Sequence, residues 1–198
     1  MRLNLGCGSD IRAGYVNVDF RKLPGVDQVV DLSKFPWPFE DGSADEILML
    51  DFLEHFPYRS TPTILLECYR VLVPGGKLVI QVPDALQTTR AMVREGNYLC
   101  NFCGAEMFGD IDGLGEISNY GECECGKTDD EISEAAMQRF YGGQDYPGNF
   151  HQTAFTDRSL SHKAANAGFH ATEHALETKE HLWKNWTLGM TFVKGELW

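Results

Sequence analysis

The stretch "LNLGCGSDIRAGYVNVDF", Leu3 to Phe20, joins two short β-rich runs through a glycine loop and ends the second on an acid. A strand that ends in Gly-x-Gly lets the backbone turn sharply and approach a ligand closely, because glycine has no Cβ. Asp19 stands 13 positions after Gly6; dinucleotide folds place their ribose acid about 20 beyond the loop, past a full helix. Only "SDIRAG" separates the two runs here. That leaves no room for a regular helix whose N-terminus could hold a pyrophosphate. The spacing therefore predicts an abbreviated first helix and a nucleoside ligand without a diphosphate, its ribose held by Asp19. A solvated acid at a strand end is the other reading of that residue.

Strand and helix signals alternate beyond this unit. "VDQVVDL" gives a third β-rich run, and "ADEILMLDFLEH" a continuous apolar run expected of a strand buried on both faces. Thr61 with Pro62 predicts a helix start, followed by Ile64, Leu65, Cys68, Val71 and Leu72 at helical spacing. "VPGG" at 73–76 is expected to stop that helix before the strand "KLVIQVP". Later, "EAAMQRF" predicts a short helix. Thr156 or Asp157 would cap another through "RSLSHKAANAG", ended by Gly168. "ATEHALETKE" and "NWTLGMTFVK" close the chain as two strands. The order predicts one α/β domain over 1–198 with a parallel sheet. Residues 95–135, rich in Gly, Asp, Glu and Cys, interrupt it as an insertion.

Taken with "DLSKFPWPFEDGSADEI", "LEHF", "RVLVPGGKLVI", "GNFHQTAFT" and "AANAGF", the opening motif resembles the class I S-adenosylmethionine-dependent methyltransferases. Within them it is similar to a small uncharacterised group like the type 11 domain. The resemblance implies a Rossmann-like, seven-stranded, mostly parallel sheet with the last strand antiparallel. It also implies a donor bound over the C-terminal ends of the first strands. Carried over to this chain, Gly6 and Gly8 would line the methionine portion of the donor, Leu5 and Cys7 would belong to the same cofactor site, and Asp19 would accept from the ribose hydroxyls. Asp31 and Leu32 would meet the adenine, and Asp51 would lie near the donor's amino group. Asp31 also reads as a turn cap. Asn4 stands where the family carries an acid, and Asp10 where it carries a third glycine.

A hydroxyl acceptor needs a general base, whereas a carboxylate needs none. His151, in the glycine-rich connection "YPGNFHQT", is the first candidate for that base and His55 of "LEHF" the second. For both, a structural role bonding backbone remains open. Tyr141 and Asp84 are weaker candidates for the pocket wall. The implied acceptor is a small molecule or sugar-like compound. A non-catalytic donor-binding module is the alternative, as is methylation of RNA or protein.

The insert places Cys100-x2-Cys103 nineteen residues before Cys123-x-Cys125. Four thiolates in that pattern would close a tetrahedral, structural zinc site; free thiols or a redox pair are the competing reading. "DIDGLGEISNYGECECGKTDDEISE" carries one lysine against nine acids. With 17 Lys and Arg against 29 Asp and Glu overall, the chain repels phosphate backbones, and nucleic-acid partners are disfavoured. "MRLNLGCG" lacks the layout of a signal peptide, and no apolar run approaches the roughly 20 residues needed to cross a bilayer. A soluble, cytoplasmic protein without a membrane partner is expected.

Overall fold

The computed structural model describes residues 1–93, 96–99, 106–109, 125–126, 129–174 and 187–195. The first five strands are β1 (Arg2–Leu5), β2 (Val16–Asp19), β3 (Gln28–Val29), β4 (Ala44–Leu50) and β5 (Leu72–Pro83). The central ones form where apolar positions recur, so that the side of β1, β4 and β5 turned to the core is buried. A hairpin-like pair, β6 (Gly96–Leu99) and β7 (Glu106–Gly109), precedes β8 (Phe169–His174) and β9 (Thr187–Lys194). Seven of them make one sheet in the order β3-β2-β1-β4-β5-β9-β8, while β6 and β7 pair separately. The first five are parallel, and β9 runs antiparallel to both β5 and β8. The sheet is thus the mostly parallel one expected, with its last strand reversed.

One face of the sheet carries Leu3, Leu5, Val18, Ile47, Met49, Ile80 and Phe192, all buried in a single core. Two helices cover it. α1 (Thr61–Val71) contributes Ile64, Leu65, Cys68 and Val71, the helical stripe expected except for Leu72, which begins β5, and α4 (Asp157–Asn166) contributes Leu160 and Ala164. Thr156 caps α4 with its side chain accepting from the Ser159 amide, as the sequence implied. Arg70 on α1 donates to Glu67, to Asp41 and to the carbonyls of Trp37 and Phe39. It thereby pins the 37–41 segment beneath the helix, where Trp37 and Phe39 are buried.

The other face of β1 and β2 is polar. Asn4 and Asn17 are buried there and bond each other, and Asn4 also holds the Asp10 carbonyl. Asn17 collects the Arg12 amide and the Asp27 carboxylate. No helix lies between β1 and β2; residues 6–15 run as turns over this amide ladder. Asn4 is therefore spent on holding the loop that replaces the first helix.

Several boundaries differ from expectation. "VDQVVDL" pairs over two residues only, since the Asp27 carboxylate turns inward to Asn17. β4 stops at Leu50, after which Asp51 takes φ 49° and Leu53–His55 form a single 3-10 turn. The "VPGG" segment is extended within β5, with a register shift against β4 between Ala44 and Glu46. Two further helices are α2 (Ala85–Val93), for which no sequence signal was read, and α3 (Asp129–Tyr141). α3 is longer than "EAAMQRF" and begins inside the 95–135 stretch. Cys100, Cys103 and Cys123 lie outside the described residues, and Cys125 is exposed. Among the described residues, no helix is long and apolar enough to cross a membrane.

Candidate active site

The C-terminal ends of β1, β2 and β4 open into a cleft of about 510 Å³, within the range of small-molecule sites. Gly6 ends β1 with φ +68°, and a Cβ there would sit 2.1 Å from Cδ2 of Phe52. Glycine is required because the aromatic ring from the β4 end packs directly on the loop. Asp19, buried at the end of β2, accepts from the Gly8 amide at 2.9 Å and from the Arg21 amide at 2.8 Å. The carboxylate therefore shapes the loop and still faces the cleft. Its field adds to burial in pushing the Cys7 thiol up to about 11, so Cys7 is an inert wall residue.

Opposite lie Asp31 and Leu32. Asp31 caps its own turn, accepting from the Ser33 amide and hydroxyl and pairing with Lys34. The Ser33 hydrogen bonds, with Lys34, hold its carboxyl below the usual range. Leu32 packs into the core while its carbonyl receives the Trp37 indole N–H at 3.0 Å. Asp51 completes this wall where β4 ends. Leu5 does not line the cleft: it is wholly buried in the apolar core, and the strand's alternation turns its side chain away.

Asp51, His55 and Tyr146 also border a second cavity of about 370 Å³, lined further by Arg139, Gly142 and His151. His151 reaches this cavity and not the first. Tyr141 and Asp84 line neither; Tyr141 is exposed, and Asp84 accepts from the Leu86 and Gln87 amides at the start of α2. Arg139, buried near the end of α3, donates to Thr187 at 2.6 Å and approaches Asp51 at 3.5 Å.

Backbone stitching brings the two histidines together across nearly a hundred residues of chain. The Glu54 carbonyl accepts from the amides of Gln152 and Thr153, and the Gln152 side chain donates to the His55 carbonyl. The rings of His55 and His151 meet edge to face, 4.9 Å between centroids. His55 Nδ1 lies 3.2 Å from the Phe150 carbonyl, and His151 Nδ1 lies 2.9 Å from the Arg139 carbonyl. A carbonyl only accepts, so each Nδ1 carries the proton and each Nε2 a lone pair. Burial lowers both rings' affinity for a further proton, and His151, beside His55, falls to about 4. Both are neutral at physiological pH.

Glu54, inside "LEHF", has no role that the sequence motif assigns. It is fully buried beside the histidines, its Oε1 3.9 Å from His151 Nε2, and neither carboxyl oxygen has a hydrogen-bond partner among the described residues. Burial, with the Asp51 carboxylate nearby, pushes its pKa well above the usual carboxylate range. An acid inside an apolar run was the available signal.

Residues 7–80 match the family described as a methyltransferase domain. No curated protein matches the chain. Among solved structures it is similar to an S-adenosylmethionine-dependent methyltransferase from Methanosarcina mazei, at 18% identity and TM-score 0.58, covering 99% of this chain and 92% of that one. A second is the 1,6-didemethyltoxoflavin-N1-methyltransferase of Burkholderia thailandensis with bound 1,6-didemethyltoxoflavin and S-adenosylhomocysteine. There the identity is 15%, the TM-score 0.55, and coverage 98% and 71%. A third is an S-adenosylmethionine-dependent methyltransferase from Mesorhizobium loti, at 14% identity and TM-score 0.52, covering 98% and 90%. The fold is the Rossmann-like methyltransferase fold.

Proposed function

We propose that this chain is an S-adenosylmethionine-dependent methyltransferase that transfers the methyl group to a small-molecule acceptor, a reading that the matched domain and the sheet support. The observation carrying this reading is the pair of cavities that meet at Asp51 and His55. The first has the features a nucleoside-bearing donor requires. Bare backbone at Gly6 and Gly8 admits close approach, Asp19 offers a charged acceptor to paired hydroxyls, and Asp31 with Leu32 forms an edge for the adenine. Asp51 is the acceptor for the donor's amino group. When bound, the donor supplies a sulfonium methyl that reacts without further activation, so the protein's part is alignment and exclusion of water.

The second cavity holds the acceptor in this reading. Its volume suits a small compound, and the Burkholderia structure, with bound 1,6-didemethyltoxoflavin, supports the same class. His151 and His55 line it, each ring held at Nδ1 by a backbone carbonyl with Nε2 left as the lone-pair nitrogen, and orient the acceptor's nucleophile. The excess of acids over bases supports a partner other than nucleic acid. For the cysteine-rich segment we keep the structural zinc site of Cys100, Cys103, Cys123 and Cys125 as a proposal, checked by metal analysis of purified protein. Calorimetric titration with S-adenosylhomocysteine tests the donor site. One-site binding is expected, and an absence of heat at millimolar ligand would overturn the assignment.

A further inference from the structure

We propose that Glu54, His55 and His151 hold one divalent first-row transition-metal ion at the floor between the two cavities, placed to bind the acceptor's nucleophilic atom. One carboxylate oxygen and two imidazole nitrogens lie within 4.8 Å of one another. A triangle of that edge has its centre about 2.8 Å from each corner, so each donor moves by roughly 0.7 Å to reach a bond of about 2.1 Å. Rotation of the Glu54 side chain and small shifts of two rings supply that.

Three independent features prepare these atoms as ligands. Both histidines donate Nδ1–H to backbone carbonyls, of Phe150 at 3.2 Å and of Arg139 at 2.9 Å. This is the outer-shell contact that fixes a metal-binding tautomer and aims Nε2 inward. Glu54 carries two buried oxygens without a hydrogen-bond partner among the described residues, an arrangement that folded proteins keep only with a reason. The backbone around the three is clamped as well, with the Gln152 amide 2.7 Å from the Glu54 carbonyl and the Thr153 hydroxyl 2.6 Å from the Phe56 carbonyl. Rigid backbone on both segments is what a preorganised site needs.

The donor set selects the ion. Two imidazoles and one carboxylate suit zinc, manganese, iron, cobalt or nickel, whereas magnesium and calcium prefer all-oxygen shells. Three protein ligands leave coordination positions open, as in reactive sites and unlike closed four-ligand structural ones. Those positions would open toward the second cavity, whose lining includes His55 and His151. An acceptor hydroxyl bound there would release its proton to solvent. The new carbon–oxygen bond would form as the donor's methyl–sulfur bond breaks, its electron pair staying on sulfur. The acceptor role rests on the methyl-transfer reading above; the ion site does not.

The test is manganese titration of the full-length, chelator-dialysed chain, followed by electron paramagnetic resonance, because manganese disfavours the thiolates of the cysteine-rich segment. About one ion per chain is expected. His151→Ala and His55→Ala should each weaken binding by at least about tenfold, with circular dichroism unchanged in both and S-adenosylhomocysteine affinity unchanged in His151→Ala, which lies outside the first cleft. If either variant fails to fold, its glutamine counterpart, His151→Gln or His55→Gln, which keeps the volume, replaces it. Manganese binding indifferent to both histidines, or no saturable binding, overturns the proposal. A chain that binds manganese through these residues but not S-adenosylhomocysteine upholds the ion site and removes the methyl-transfer reading.

Discussion

Asp19→Asn probes the acid at the end of β2 with almost no change of shape. The wild-type carboxylate accepts from the Gly8 amide at 2.9 Å, the Arg21 amide at 2.8 Å and Arg21 Nε at 3.2 Å. An amide keeps one accepting oxygen. Whichever way it turns, its NH2 meets an N–H at hydrogen-bond distance, leaving two buried donors opposed. At about 1–3 kcal/mol for each unsatisfied buried donor, with little added by the half-exposed Arg21 pair, the loss is about 2–4 kcal/mol. For a chain of this length that lowers the melting temperature by about 5–15 °C. Donor affinity falls too, because a neutral acceptor replaces a charged one for the ribose and the Gly8 loop relaxes. About 1.5–3 kcal/mol, or roughly 10- to 100-fold in Kd, should be read by calorimetry with S-adenosylhomocysteine at a temperature where the variant is folded. A folded variant whose Kd moved less than about twofold would refute both the ribose assignment and the count of loop contacts.

Three other perturbations bear on separate parts of the molecule. His151→Ala should leave S-adenosylhomocysteine affinity intact while turnover drops at least about tenfold; unchanged turnover would exclude a role at the acceptor. Gly6→Ala combines a positive φ with a Cβ 2.1 Å from the Phe52 ring, so a loss of about 2–4 kcal/mol should appear in denaturant unfolding, and a shift below about 0.5 kcal/mol would contradict the packing described. Glu67 is held below its ordinary 4.5 chiefly by the Arg70 hydrogen bonds. Its contribution is therefore fully present above pH 4.5 and is lost as the pH falls through the lowered value. Glu67→Gln should cost about 1–3 kcal/mol at pH 7 and show a shallower loss of stability on acidification, whereas parallel profiles of the two proteins would refute the linkage.

Much of the first cleft was legible because its residues are close in sequence. Gly6, Gly8 and Asp19 sit on two adjacent strands, and a strand that must end on a glycine turn, followed at once by another ending on an acid, has few other arrangements. The helical stripe of α1 and the Thr156 cap were equally readable, since both depend on contacts within a few residues. Leu5 failed for a local reason: the pleat alternates, and the residue just before the turn faces the core. The missing first helix was visible as a short spacer. Its replacement, the Asn4–Asn17 ladder, was not, because a side-chain amide carries no periodic signature.

Spacing and alternation along the chain were thus enough to define the sheet, its glycine loop and the acid that ends β2, because each rests on interactions between neighbouring elements. What only the tertiary structure decided is the meeting of "LEHF" with "NFHQT". Backbone bonds from Gln152 and Thr153 to Glu54 close a loop of nearly a hundred residues and bury a carboxyl between two imidazoles. Hydrogen bonds between distant main-chain groups are available to any side chain, so no residue pattern announces them. They exist here because α3 ends where its last carbonyls can receive His151.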